Sequence, residues 1–523
     1  MSLFEDILTA RGITGKVRDA FLNPSYDARH DPFLLPDMQP AVDRLIVALN
    51  NQEHITIYGD YDIDGLTATT VLLDSFESFG FEKVDAFIPN RFVEGYGLTI
   101  DAVDKIAATG ATLIVTVDCG SLSEKEITHA GTLGVDIIVT DHHNVAPVQP
   151  PAVAVINPKR FLQEYPEHYQ KYLLKPDSAL AGKVYPFLDL AGVGVAFKLV
   201  QALQTKLDGL APGKEKWLLD LVALGTVCDI VTLVDENRAN VFWGLKVLAQ
   251  AKRPGLRALM AVAGVEPHMV NARHLGFGLG PRMNAAGRLE TAQFSLDMLR
   301  AKEPMQALEA AQKLDTMNIA RRADQDKIFK EAIVQAEQFK NDNVLVVSSP
   351  GWSHGIIGIV AAKLLEKYKK PTYVLEEMGD ESKGSARSYG DFSAADAIRA
   401  ADDIIIKGGG HKLAAGVTMA TVNIPAFRQR VNEFYIQQKF VDQILHAEEL
   451  LVINQRKMGA ESQHVKLELQ DESGKTMQFL AFSAPAHFFA EPGDRVTVWF
   501  QPTVNEWMGR RSVEGRLLHL ELR

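Results

Sequence analysis

The sequence predicts an α/β protein: a doubly wound parallel-sheet domain, a linking helix, a second and smaller α/β domain, and a C-terminal β-barrel. Three observations carry this. Between residues 54 and 156, β-rich runs alternate with helical stretches, as in a parallel sheet. A charged helical stretch near 304–339 is followed by a further strand–helix–strand run from 343. From about 446 the pattern changes to short strands separated by Gly and Asp turns. At 523 residues the chain exceeds one ordinary core, so three or four domains are expected.

Residues 1–50 read as a helical segment, with a turn at NPSYDARHDP and a helix near PAVDRLIVALN. The alternation of the domain at 51–303 then begins. HITIY (54–58) is a strand and LTATTVLLDSFESF (66–79) its helix; VDAFIP (84–89) and LTIDAVDKIAAT (98–109) repeat the pair. TLIVTV (112–117) precedes a helix in SEKEITHAGTLG, and DIIVT (136–140) and AVAVI (152–156) complete the strands. Beyond about 160 the domain is mainly helical, as in KEKWLLDLVALGTV, RANVFWGLKVLAQ and SLDMLRA. The helix assigned to 304–340 is charged and poor in large apolar residues, which suits a helix that bridges domains. In the unit at 341–445, NVLVVSS (343–349) is a strand, a helix ends at KKP (369–371), and TYVLEE is the next strand. The barrel at 446–523 draws on VKLELQ, TMQFLAF, DRVTVWFQP and RLLHLEL.

Composition narrows the function. With 55 Lys and Arg against 66 Asp and Glu, the net charge of −11 argues against nucleic-acid binding through bulk positive charge. A local basic channel or bound cations would still permit it. Two cysteines, Cys119 and Cys228, exclude a disulfide scaffold and a Cys-based zinc site. MSLFEDILTARG has neither a basic nor an apolar leader region, and the apolar run LAGVGVAF stops at Lys198. A soluble protein of a reducing compartment, with no membrane partner, is expected.

The carboxylates carry the chemistry. HITIY runs into Asp60-Tyr61-Asp62-Ile63-Asp64-Gly65, TLIVTV into Asp118, and DIIVT into Asp141-His142-His143. In an open parallel sheet the carboxyl ends of the strands line one crevice, where ligands bind. Taken singly, an Asp at a strand end is most often a helix cap or turn residue, and His142-His143 a hydrogen-bonded loop pair. Taken together, convergent carboxylates repel one another and call for a divalent cation. Oxygen ligands with a few imidazoles favour Mn²⁺ or Mg²⁺ over zinc. Asp60-Asp62-Asp64-Gly65 also matches the first half of an EF-hand loop, but position twelve is Val71 where that loop needs Glu.

GDYDIDG, VDCG, TDHH and the later GTVCDIVTL resemble the four motifs of the DHH phosphoesterases. GPRMNAAGR, GWSHGIIGIVAAKL, SARS and GGGHKLAAG narrow the resemblance to the RecJ family of single-strand-specific 5′→3′ exonucleases. It covers about residues 1–440 densely. It implies a DHH domain, a DHHA1-type second domain, and an OB-like barrel in the tail. It implies two Mn²⁺ or Mg²⁺ ions: Asp60 or Asp62, with Asp118 and Asp229, would hold one, and Asp64, Asp118, His142 and Asp229 the other. His143 would face the reacting phosphate, and Asp141 would orient an imidazole. Some DHH phosphatases carry a His where this chain has Tyr58, which makes Asp60 the substitute ligand. Two such cations roughly 3.5–4 Å apart activate a water and neutralise the phosphodiester transition state without a covalent intermediate.

Arg91 in IPNR, Arg282 and Arg288 in GPRMNAAGR, and Ser385 and Arg387 in GSARS are candidates to hold a terminal phosphate, since a planar guanidinium binds phosphate bidentately. The last pair rests on the resemblance. KGGGHKLAAG (407–416) reads as three glycines before a short helix, with His411 contacting a nucleotide. Trp352 fits a core as well as it fits a stacking platform. Trp499 and Trp507, near Arg510-Arg511, are candidate base-stacking residues, although from residue 446 nine Lys and Arg stand against eleven Asp and Glu. Cys119 and Cys228 adjoin Asp118 and Asp229, and as strand neighbours they would point away.

The reading is thus a metal-dependent 5′→3′ exonuclease that releases 5′-mononucleotides from single-stranded DNA in repair and recombination. Its expected setting is the bacterial cytoplasm at the nucleoid, as a monomer, with a single-strand-binding protein and a helicase as partners. The nearest alternative is the same chemistry on short oligonucleotides, cyclic dinucleotides or a nucleotide phosphate. A small-substrate enzyme would not need the bridging helix and the barrel. A non-catalytic DNA-binding scaffold would have lost carboxylates that are present here.

Overall fold

The computed structural model describes residues 3–95, 97–165, 180, 182–438, 445–458, 464–481, 484, 488–507 and 510–522. For 16, 438, 445, 504–507 and 510–512 it describes the backbone alone. The chain divides into two compact units, Met1–Ala323 and Asp324–Arg523.

In the first unit, β1 (Ile55–Gly59), β2 (Val84–Phe87), β3 (Leu113–Val117), β4 (Asp136–Thr140) and β5 (Ala154–Ile156) form a wholly parallel sheet in the order β2-β1-β3-β4-β5. The near-continuous apolar runs of β1, β3, β4 and β5 follow from burial on both faces, while the edge strand β2 is only partly buried. Ile55, Ile57, Val115 and Val117 enter one core, while Tyr58, Ile114 and Val139 enter the other. Helices Ile63–Phe79, Ile100–Ala108 and Glu124–Thr132 make the crossovers. Strand order reverses at β1, with β2 on one side and β3 on the other, so a crevice opens at their carboxyl ends.

Helix Gly192–Gln204 begins within LAGVGVAF, which composition alone marks only as an apolar run. It is buried almost all round, and it packs on Ile63–Phe79 and Leu219–Cys228. Helix Pro304–Gln338 spans the division between the units, and in the first it buries Ala307, Ala311 and Leu314. Small side chains at helical spacing let it lie close to its neighbours, which is why large apolar residues are scarce along it.

In the second unit, β6 (Leu345–Pro350), β7 (Thr372–Met378), β8 (Glu381–Arg387), β9 (Lys407–Gly410) and β10 (Ala414–Ala420) form a mixed sheet in the order β6-β7-β8-β10-β9. Only β6 and β7 are parallel. KGGGHKLAAG departs from the expected glycine loop before a helix: it is the β9–β10 hairpin, with His411 exposed in its turn and the His411 N–H donating to Ala414 O at 2.8 Å. Trp352 is core, 2% exposed, with its indole N–H donating to Glu331 at 2.7 Å. The tail closes into a five-stranded barrel of β11 (Leu445–Met458), β12 (His464–Gln470), β13 (Thr476–Ala481), β14 (Arg495–Trp507) and β15 (Arg510–Leu522), in the order β11-β12-β13-β15-β14. Among the described residues, no helix is long and apolar enough to cross a membrane.

Candidate metal centre

Three strand ends and one helix end meet at the crevice. After β1 the chain turns sharply into helix Ile63–Phe79, which Asp62 caps by accepting from Gly65 N–H at 3.1 Å. Gly65 passes so close that a Cβ there would stand 2.5 Å from the Asp60 carbonyl oxygen. Asp64 lies in the first turn, fully buried, and accepts from Gly192 N–H (2.6 Å) and Val193 N–H (2.9 Å). Its carboxylate is thus seated on the amino end of the buried helix Gly192–Gln204, where backbone donors and the dipole favour an anion. A Cβ on Gly192 would fall 2.8 Å from the Asp118 side chain, so only glycine allows that helix to start here.

Asp118 ends β3 in the left-handed region (φ 63°) while its N–H still donates to Thr140 O at 2.9 Å. Asp tolerates this conformation better than most residues. The bend turns its carboxylate into the crevice. Asp229 sits at the carboxyl end of helix Leu219–Cys228. The strand argument for the cysteines therefore fails at Cys228, which is helical, with its thiol directed at Leu275 O (3.6 Å). Cys119 is buried, and neither thiol joins the donor clusters.

The β4 end supplies the rest. Asp141 accepts from the backbone N–H groups of Ser121 (3.0 Å), His142 (2.7 Å) and His143 (3.1 Å), and its Oδ1 lies 2.9 Å from His143 Nδ1. His142 Nε2 lies 3.0 Å from Asp118, 3.6 Å from Asp229 and 3.7 Å from Asp64. Asp60–Asp62–Asp118, Asp64–His142–Asp229 and Asp118–His142–His143 each place their donor atoms within 4.8 Å of one another. Tyr58 is no donor here, because its hydroxyl is bound to Gly97 O at 2.8 Å.

Among the described residues no lysine or arginine pairs directly with the carboxylates of this cluster. Burial, then the charge of Asp62, pushes Asp60 up to about 8 and Asp229 up to about 7. Asp64 and Asp118 are raised well above the carboxylate range by burial and by neighbouring carboxylates. Burial, then His143, lowers His142 to about 3, which keeps it neutral and able to ligate. His143 is raised: burial opposes its charge, but the bond to Asp141 outweighs that. Asp60 Oδ1, Asp118 Oδ1 and His142 Nε2 are buried without a hydrogen-bond partner. Orphaned acceptors on carboxylates that resist ionising fit a divalent cation, and a mostly oxygen donor set fits Mn²⁺ or Mg²⁺.

The remaining candidates are distributed as follows. The Arg91 guanidinium stacks on Tyr61 (4.2 Å) and its charge reaches Asp60, while Arg288 acts on Tyr61 as well. Arg282 is committed to Asp315 (2.8 Å) and Gly278 O (2.7 Å). In the second unit, Arg387 approaches Ser385 Oγ (3.3 Å) on β8, beside the hairpin that carries His411. A Cβ on Gly358 would crowd both side chains, which explains the glycine in GIIG. Trp499 lies between His446 and His519 of adjacent strands, with ring centroids 4.6 and 5.1 Å away. The side chains of Trp507, Arg510 and Arg511 lie outside the described residues. Sequence reasoning missed the seat that Gly192-Val193 forms for Asp64; a Gly-x-Gly opening an apolar run was the available signal.

Fold and site together define a DHH-type phosphoesterase. The DHH family, N-terminal domain model matches residues 54–226, the DHHA1 domain 341–437 and the RecJ OB domain 438–519. The single-stranded-DNA-specific exonuclease RecJ of Bacillus subtilis is 35% identical over 98% of this chain and 66% of that protein. The Salmonella typhimurium protein of the same name is 36% identical over 76% of this chain and 69% of its own length. The chain thus spans 66–69% of the length of these two relatives. A crystal structure of exonuclease RecJ bound to manganese matches with TM-score 0.65 and 32% identity, over 77% of this chain and 95% of that one. RecJ from Thermus thermophilus in complex with Mn²⁺ matches with TM-score 0.68 and 26% identity, over 98% and 75%. The chain belongs to the RecJ family of single-stranded-DNA-specific exonucleases, which are metal-dependent nucleases.

Two outcomes are expected. Carboxylates with raised pKa values hold protons that their unfolded counterparts release near pH 4, so metal-free stability should fall as pH rises from about 5 to about 9. Saturating Mn²⁺ should abolish that fall in thermal melts and release protons into weak buffer at neutral pH; a flat metal-free profile would count against the cluster. Gly192→Ala should weaken Mn²⁺ binding, read by titration calorimetry, at least about tenfold through displacement of Asp64 and Asp118.

Proposed function

We propose that this chain hydrolyses single-stranded DNA from its 5′ end to 5′-mononucleotides, in DNA repair and recombination. The observation that carries the chemistry is the set of overlapping Asp/His clusters with orphaned donors at the β1/β3 crevice. In this reading Asp60 or Asp62, with Asp118 and Asp229, holds one divalent ion, and Asp64, Asp118, His142 and Asp229 hold the other. When bound, such ions neutralise charge on a reacting phosphodiester and activate water.

The protein's own groups do the rest. Asp141, fixed by three backbone donors, holds His143 through Nδ1 and favours its protonated form, so Nε2–H faces a phosphate oxygen as electrophile or acid. Arg91 and Arg288, which act on Tyr61 next to Asp60, are assigned to nucleotide phosphates, as is Arg282, which is paired with Asp315. Ser385, Arg387 and His411 are assigned to the 5′-phosphate, and Trp499 with Trp507 to stacked bases. A monomer of the bacterial cytoplasm at the nucleoid, working with a single-strand-binding protein and a helicase, belongs to the same proposal.

Purified protein with Mn²⁺, then with chelator, on an oligonucleotide labelled at either end tests this directly. Immediate release of a 5′ label as mononucleotide, only from single strands and only with metal, is the expected result. Cleavage of cyclic dinucleotides alone would overturn the substrate. Asp118→Ala is expected to lower turnover by at least about a thousandfold with the far-ultraviolet circular dichroism unchanged. Arg387→Ala should reduce discrimination in favour of 5′-phosphorylated over 5′-hydroxyl ends about tenfold, measured as kcat/KM on the two substrates.

A further inference from the structure

Just past β5 stands a cation that none of the motifs above includes, Lys159, whose backbone is tied through Asn157 to the His143 loop of the metal centre. Asn157 follows β5 and is wholly buried. Its Nδ2 donates to Ser121 Oγ (2.9 Å) and His143 O (3.0 Å), and its Oδ1 accepts from Lys159 N–H (2.9 Å). The one side chain therefore ties the His143 loop to the 3₁₀ turn Pro158–Arg160. The two cations of that turn have different fates. Arg160 is consumed by Asp37 (2.6 Å), Glu164 and Val155 O (2.7 Å). The Lys159 ammonium takes no hydrogen bond or ion pair among the described residues and is half-buried, and its charge acts on both Asp229 and His142.

Six carboxylates converge here: Asp60, Asp62, Asp64, Asp118, Asp141 and Asp229. Two divalent ions would cancel four of those charges and protonated His143 a fifth, so an incoming phosphodiester would meet a centre that is still short of positive charge. Arg91 supplies some beside Asp60. Lys159, whose charge acts on Asp229, is its counterpart.

We propose that Lys159 is a substrate-contacting residue of this centre, its ammonium binding a non-bridging oxygen of the phosphodiester held at the Asp64–His142–Asp229 cluster. Resting on the nuclease reading above, this gives the turn after β5 a function in holding the single strand at the metals. A Lys suits the position as a point charge on a flexible stem that can follow a phosphate as it moves.

The test uses the full chain loaded with Mn²⁺ and a 5′-phosphorylated single-stranded oligonucleotide, over a series of salt concentrations. Lys159→Ala should raise KM about tenfold, the loss of one charge-assisted phosphate contact. The slope of log KM against log salt should shrink by about 0.7, the counterion release of one single-strand phosphate. Lys159→Arg should restore both to within about twofold. The rise in melting temperature on adding Mn²⁺ should match wild type in both variants. An unchanged KM and slope in Lys159→Ala, with wild type active, overturns the contact alone. So does loss of the Mn²⁺ effect, which would make Lys159 part of the metal cradle. If wild type binds the oligonucleotide without cutting it, anisotropy affinities of the same variants decide the contact. If wild type neither cuts nor binds it, the nuclease reading and the contact fall together.

Discussion

Like-charge repulsion in a buried crevice is the constraint on which the rest of the first unit depends. Asp60, Asp64 and Asp118 are each at most 3% exposed, and among the described residues no arginine or lysine is paired directly with any of them. Burial of unpaired carboxylates is among the most expensive arrangements a fold can hold. The chain meets it with partial positive charge wherever backbone can supply it, and leaves the remainder to bound cations. Backbone N–H groups at the start of helix Gly192–Gln204 face Asp64, and three N–H groups surround Asp141, two from the loop after β4 and one, Ser121, from the loop after β3.

That requirement explains features that would otherwise look like defects. An aspartate in a left-handed conformation, glycines that no Cβ could replace, and a helix buried almost all round each serve one geometry. Strand order supplies the meeting point, because β1 and β3 are neighbours whose crossovers leave in opposite directions. The histidine pair divides the labour. His142, deep and neutral, keeps a ring nitrogen free of a proton, while His143, more exposed and backed by Asp141, favours carrying charge.

Much of this was legible in the residues. The parallel sheet follows from five apolar runs, and the acids at three strand ends mark the crevice. Asp229 came through resemblance alone, since it ends a helix and no strand-end rule reaches it. Strand β11 was overlooked because its register shifts at Val452/Asn454 and again at Ala447/Leu450, which breaks the alternation that periodicity relies on. The β9–β10 hairpin was misread because glycine is a poor strand former: pairing with β10 imposes the strand, and the local sequence does not. Contacts distant along the chain, such as Gly192 against Asp118 or Asn157 against the His143 loop, have no local signature at all.

The two sheets of the second unit differ in how they can be joined by another chain. The barrel is closed, with β11 paired to both β12 and β14, so it offers no free row of N–H and C=O groups for strand addition. The mixed sheet ends on β9, whose three glycines are exposed. An edge without side chains presents bare backbone, yet glycine's conformational entropy makes it a poor template for another strand. Self-association by edge-to-edge pairing is thus discouraged at β9 by the entropy of the would-be template rather than by charge. The same bare edge can approach a bulky polymer more closely than any strand with side chains could.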